Sequence, residues 1–286
     1  MVSLLASIHD RMAELDRPDL SRISGLPFGS DLLSRLPVLE QNPAPPPNTI
    51  LGTNAGETLD GTSSDDVIDA LGGSDTVSGK AGDDVIVTSG DGFDRLYGDE
   101  GNDELRGGDA GNLLHGGSGN DHAYGGAGGD KLNGDSGDDV LEGGAGVDKV
   151  SGGFGQDTVI GGAGTDELVG GFGADAFRFT QLDGSVDVVS EFNFIPDVGE
   201  GLDQGDRFEL NLGAFAALGD GAGNTLSESE FALGTKATSA GQHILYDQAA
   251  GALFYDVDGS GTAKAVQFAS VAGRVELHAS DFLLIA

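Results

Sequence analysis

The chain has no cysteine and no tryptophan, and it sets only 14 basic residues against 48 acidic ones. Nor does it contain a run approaching the roughly 18 apolar residues of a membrane-crossing helix, so no transmembrane segment is expected. Each shortage excludes something. Without cysteine there is no disulfide framework, and a small secreted fold would need another staple, of which a metal is the usual one. A formal net charge of −34 repels nucleic acid and anionic membrane surfaces. The same charge, with 51 glycines in 286 residues, opposes compaction. The chain without a bound cation is therefore expected to be disordered. The opening stretch MVSLLASIHDRMAELDR has no basic n-region, and His9 and Asp10 interrupt its apolar run. It does not read as a signal peptide, so export would use another signal.

What is present divides into three regions. Residues 1–51 carry a net −2, and Leu5, Ile8, Met12 and Leu15 recur there at helical spacing. A short helical segment is expected, followed by a stiff proline-rich linker, QNPAPPPN, from Gln41 to Asn48. Residues 52–178 carry a net −20 and residues 179–286 a net −12.

The middle region repeats itself. GGAGVDKVSGGFGQDTVIGGAGTDELVGGFGADAF, from Gly143 to Phe177, says nearly the same thing every nine residues. Frames starting at 52, 61, 70 and 79, then at 89 and every ninth residue to 170, give fourteen nonads with one residue inserted near Thr88. The sixth position is aspartate in twelve: Asp66, Asp75, Asp84, Asp94, Asp103, Asp121, Asp130, Asp139, Asp148, Asp157, Asp166 and Asp175. Glu57 and Asn112 fill the other two, and the eighth position is apolar in all fourteen, from Leu59 to Phe177.

This spacing has a physical reading. Each nonad is a turn of about six residues and a strand of about three. Glycine permits positive φ and close backbone approach. In the strand the eighth residue points inward and its neighbours outward. One thin apolar layer between two parallel sheets results. Such a layer is a poor core for so many ordered glycines and stacked aspartates. Calcium takes six to eight oxygens from carboxylates and carbonyls, and two stacked turns can supply them. Metal binding and folding should then be one event.

These nonads resemble the RTX family of calcium-binding repeat proteins. The resemblance implies an all-β fold, a right-handed parallel β-roll, with calcium held between a turn and the equivalent turn one coil on. It implies shared ions for Asp121 with Asp139, Asp130 with Asp148, Asp139 with Asp157, Asp148 with Asp166, and Asp157 with Asp175. Asn112 lacks the charge, Ala110 replaces a glycine, and the insertion near Thr88 shifts the register, so those coils depart from the pattern. The first nonad, GTNAGETLD, reads as a degenerate cap, and the C-terminal half of the roll is expected to bind best.

Past Phe177 the nonads stop. RFTQLDGSVDVVSEF and DRFELNL read as strands, and SESE at Ser227 reads as a capping box before a short helix. HILYDQAAGALFYDVDGSG reads as a hairpin followed by a tight turn. DVDGSG at Asp256 matches the first half of an EF-hand loop, but Gln267 stands where that loop needs glutamate, so a polar turn is the preferred reading. LFYDVDGSGTAKAVQFASV and LHASDFLLIA are similar to the small β-rich C-terminal module of RTX proteins, including serralysin-type proteases. That resemblance implies type I secretion, with an uncleaved C-terminal signal ending at Asp281-Phe282-Leu283-Leu284-Ile285. Low cytosolic calcium would keep the chain threadable, and millimolar calcium outside would fold it.

No catalytic signature stands out. None of His9, His115, His122, His243 and His278 is followed by glutamate, so there is no HExxH. There is no G-x-S-x-G elbow either. His115 and His122 flank nonads six and seven, where solvated side chains are the preferred reading over a transition-metal pair. The sequence reads as a secreted bacterial calcium-binding protein that acts as a binding, structural or host-interaction protein on an unknown extracellular partner. The alternative is an enzyme with an unrecognised hydrolytic site in the 179–286 module.

Overall fold

The computed structural model describes residues 48–192, 205–219, 221–273 and 275–286. The helical segment expected around Leu5–Leu15 lies outside them. The described residues are all-β and form a parallel solenoid of about eight turns with further strands at its C-terminal end.

Successive strands alternate between two sheets. One has ten strands, from Asn48–Leu51 through His122–Ala127 and Val140–Ala145 to Arg207–Asn211 and Phe282–Ile285. The other has twelve, from Thr58–Asp60 through Lys131–Ser136 and Lys149–Phe154 to Asp187–Ser190, and then the strands of the C-terminal region. Within a sheet, Lys131 pairs with Lys149 and Val140 with Thr158, an offset of two nonads per coil. Where Thr76 meets Arg95 and Val85 meets Glu104 the offset is one residue longer. The inserted residue is absorbed there.

The eighth positions do what the alternation predicts. Ile68, Val77, Ile86, Leu96, Leu105, Leu114, Ala123, Leu132, Leu141, Val150, Val159, Leu168 and Phe177 are all buried in one continuous core. Leu59, in the first nonad, is only partly buried against it. The layer thickens at the C-terminal end, where Phe208 stacks on Phe192 at 4.6 Å and on Phe282 at 5.1 Å. Those rings give the last coil a cross-section that single aliphatic residues cannot fill.

The glycines have a steric cause. At the fourth position Gly137 has φ +129, and a Cβ there would sit 1.8 Å from the Gly119 carbonyl oxygen one coil back. Every described non-glycine residue with positive φ, apart from Glu191, stands at the second position: Leu71, Lys80, Asp99 and Asp135. These departures each cost roughly 1 kcal/mol relative to glycine.

Beyond the repeats, the reading of strands, hairpin and tight turn matches the antiparallel pair Ile244–Asp247 and Ala252–Tyr255. Two expectations are corrected. Asn48–Leu51, at the end of the expected linker, form the first strand, with Ile50 opposite Ile68. Only half of the capping box forms: Glu230 Oε2 accepts from Ser227 N at 3.4 Å and from Ser227 Oγ at 2.9 Å, while Glu230 N donates to the Ser227 carbonyl and not to its hydroxyl, and the chain makes only a single turn. It enters the strand Phe231–Leu233 at once, because Phe231 pairs with Ile244.

Candidate metal centre

Each sixth-position aspartate stands at or immediately before the first residue of a strand, so stacking the strands stacks the aspartates. Two ladders result, one on each side of the apolar layer. The first holds Asp66, Asp84, Asp103, Asp121, Asp139, Asp157 and Asp175, and the second holds Glu57, Asp75, Asp94, Asn112, Asp130, Asp148 and Asp166. The rungs repeat one bond. The backbone N–H of Asp121 donates to Asp139 Oδ1 at 2.7 Å, that of Asp130 to Asp148 at 2.7 Å, and that of Asp139 to Asp157 at 2.9 Å. The five pairs expected to share calcium are thus brought together, each through this contact.

That bond uses one carboxylate oxygen. The other is left over. Eleven of the twelve aspartates, all but Asp94, have one fully buried oxygen with no hydrogen-bond partner. An unpaired buried carboxylate is far too costly to persist, so each needs a proton or a cation. Burial is the main cause that pushes the carboxyls of Asp84, Asp103, Asp121, Asp148, Asp157 and Asp175 up to about 6, and those of Asp130 and Asp139 up to about 7. The rung bond to the backbone N–H opposes that shift in every case.

Backbone oxygens complete the set. Around the first-position Gly134, Asp139 Oδ2 and the Gly152 carbonyl oxygen both crowd the space a Cβ would take, and around Gly152 it is Asp157 Oδ2 and the Gly170 carbonyl. Among the described residues no three His, Asp or Glu side chains converge. A cation here would be held by paired aspartates and turn carbonyls, a hard all-oxygen donor set that fits calcium. Calcium would supply the positive charge that these buried oxygens lack.

The ends and the flaw of the ladders differ. Glu57 accepts from Thr53 N at 2.7 Å and from Thr53 Oγ1 at 2.8 Å, so its charge is satisfied within its own nonad. Asp66 Oδ2 likewise accepts from Thr62. Asn112 keeps the rung, accepting from Asp94 N at 3.0 Å, while its Nδ2 donates to the Ala110 carbonyl at 2.6 Å.

The histidine pair does not form. His115 and His122 lie on opposite sheets. His115 stacks on Tyr97 at 5.4 Å and has Nδ1 3.2 Å from Asp135. In the DVDGSG turn, Asp258 Oδ2 accepts from Ala263 N and Asp256 Oδ1 from Asp258 N, which is the bonding of a polar turn.

Sequence reasoning missed two members. Asp166 N donates to Asp187 Oδ1 at 3.1 Å, and Asp175 N to Asp206 Oδ1 at 2.9 Å. The signal was there in half: DVVS and DRFE keep the aspartate and the apolar residue two places on, without the glycines.

Five segments, residues 51–86, 87–123, 106–141, 124–159 and 142–177, each match the family model that describes four copies of the RTX calcium-binding nonapeptide repeat. These are RTX calcium-binding repeats. The match stops short of the C-terminal region. Among solved structures, the AlgE6R3 subunit from the Azotobacter vinelandii mannuronan C5-epimerase is similar at 23% identity, covering 61% of this chain and 78% of that one, with a TM-score of 0.31. No curated protein matches.

Proposed function

We propose that this is a secreted RTX protein that folds when it binds calcium outside the cell and then acts as a binding or structural protein, without catalysis. The observation that carries the reading is the row of eleven buried carboxylate oxygens without partners. Two columns of buried negative charge oppose the metal-free fold, and calcium reverses the sign of that contribution. A cell interior poor in calcium then keeps the chain extended for export. The resemblance of ASDFLLIA to a type I secretion signal supports export by that machinery, and the signal would be read before Phe282–Ile285 becomes a strand.

The test is a calcium titration followed by circular dichroism, with magnesium as control. Cooperative gain of β signal at micromolar to millimolar calcium, absent with magnesium, supports the reading. A chain already folded in chelator above about pH 7, where the ladder carboxyls are ionised, overturns it. Turnover of a polysaccharide or peptide that depends on calcium would overturn the non-catalytic role and favour a hydrolytic site in residues 179–286.

A further inference from the structure

The ladders do not end where the repeats end. Asp187 and Asp206 stand 21 and 31 residues beyond Asp166 and Asp175, in place of the regular 18. Yet each reproduces both bonds of a regular rung. The preceding aspartate's N–H donates to the new carboxylate, and the following residue's N–H returns to the preceding carbonyl: Val188 N to Asp166 O at 2.7 Å, Arg207 N to Asp175 O at 2.8 Å. Apolar register holds too, with Val189 opposite Leu168 and Phe208 opposite Phe177. Asp187 and Asp206 are 6% and 4% exposed. Facing them, Asp166 and Asp175 are 1% and 0% exposed, and each has an Oδ2 without a partner.

We propose that Asp187 with Asp166, and Asp206 with Asp175, hold two further calcium ions that terminate the ladders outside the repeat family's matched residues. These ions tie the C-terminal region to the roll. Val266–Val271 pairs directly with Asp187–Ser190, and Phe282–Ile285 with Arg207–Asn211, so ordering those two strands templates the rest. Asp183 takes part as a positioning residue. Its Oδ2 accepts from Gly164 N at 3.0 Å, a bond that in regular coils goes to a backbone carbonyl, as from Gly146 N to Ala163 O. This inference rests on the calcium reading above.

The test uses the full chain in a Tyr97→Phe, Tyr124→Phe background, so that buried Tyr246 and Tyr255 alone report the C-terminal region by near-ultraviolet dichroism. Asp187→Asn and Asp206→Asn are suitable because Asn112 shows that asparagine keeps the rung bond. Val189→Ala weakens the same strand without touching a ligand. The expected result for the double asparagine variant is two fewer tightly bound calcium ions by equilibrium dialysis. Its tyrosine-signal midpoint should also rise at least roughly tenfold in calcium, with the far-ultraviolet transition of the roll retained. The parent's ion count and midpoint in that variant would overturn the inference while leaving the calcium reading intact. The same loss of ions in Val189→Ala would also overturn it, by assigning the effect to packing. A parent that binds no calcium sinks the calcium reading first.

Discussion

Asn112 donates its amide N–H to the Ala110 carbonyl at 2.6 Å, whereas Asp130 and Asp148, the next two rungs of its ladder, each present an oxygen with no partner. One rung in the middle of the roll is therefore satisfied without a cation. Substituting Asn112→Asp replaces a donor by an acceptor facing a carbonyl. The metal-free fold should lose roughly 1–3 kcal/mol, and calcium should recover it. Isothermal titration should show a steeper dependence on calcium than in the parent. An unchanged titration would mean that the turn at Ala110 cannot accept the ion.

A mid-ladder rung should respond in the opposite sense. Asp139→Ala removes the acceptor for Asp121 N and one carboxylate from two candidate sites. The calcium midpoint of folding should rise by more than tenfold, and the number of bound ions should fall, as read by dichroism and equilibrium dialysis.

Acid should partly replace calcium. In the metal-free fold the carboxyls of Asp121 and Asp157 lie at about 6 and those of Asp130 and Asp139 at about 7, above their ordinary value of 3.8, because burial disfavours the charged form. A raised folded value stabilises the fold fully below the unfolded value, and that stabilisation is lost as pH rises through the folded one. In chelator, β signal should be strongest below about pH 4 and fade between about 4 and 7. In calcium the sign reverses. Protons compete for the same oxygens, so acidification through about 7 to 6 should raise the calcium midpoint. A pH series of dichroism titrations reads both limbs.

Gly146, at the fourth position of its nonad, should be indispensable. Gly146 has φ +138, and a Cβ would sit 1.6 Å from the Gly128 carbonyl oxygen. Gly146→Ala should abolish calcium-induced folding of the coils around it. Leu71→Gly, at φ 62, should instead stabilise by up to about 1 kcal/mol. Thermal melts in saturating calcium separate the two.

The interior of the repeats was legible because each position has one job. An aspartate at the sixth place and an apolar residue at the eighth suffice to fix the ladder and the core, from Asp66 and Ile68 to Asp175 and Phe177. The ends were not legible, because register there is held by pairing and not by spacing. Asn48, Asp187 and Asp206 stand at the start of strands that align with the roll, but the glycine pattern of the nonads does not precede them and the intervening loops vary in length. Ser227 and Glu230 misled for another reason. Glu230 does reach back to Ser227, but tertiary pairing of Phe231 with Ile244 makes the next residues a strand.

The rung bond also has a direction. Each carboxylate reaches back to the N–H of the coil before it, Asp157 to Asp139 and Asp139 to Asp121, and never forward. A coil is therefore completed by its successor in the chain. A polypeptide delivered to calcium tail first would meet this asymmetry favourably. The finishing half of every joint would already be in place when the half it finishes arrived, and each coil laid down would hold the next against slipping back.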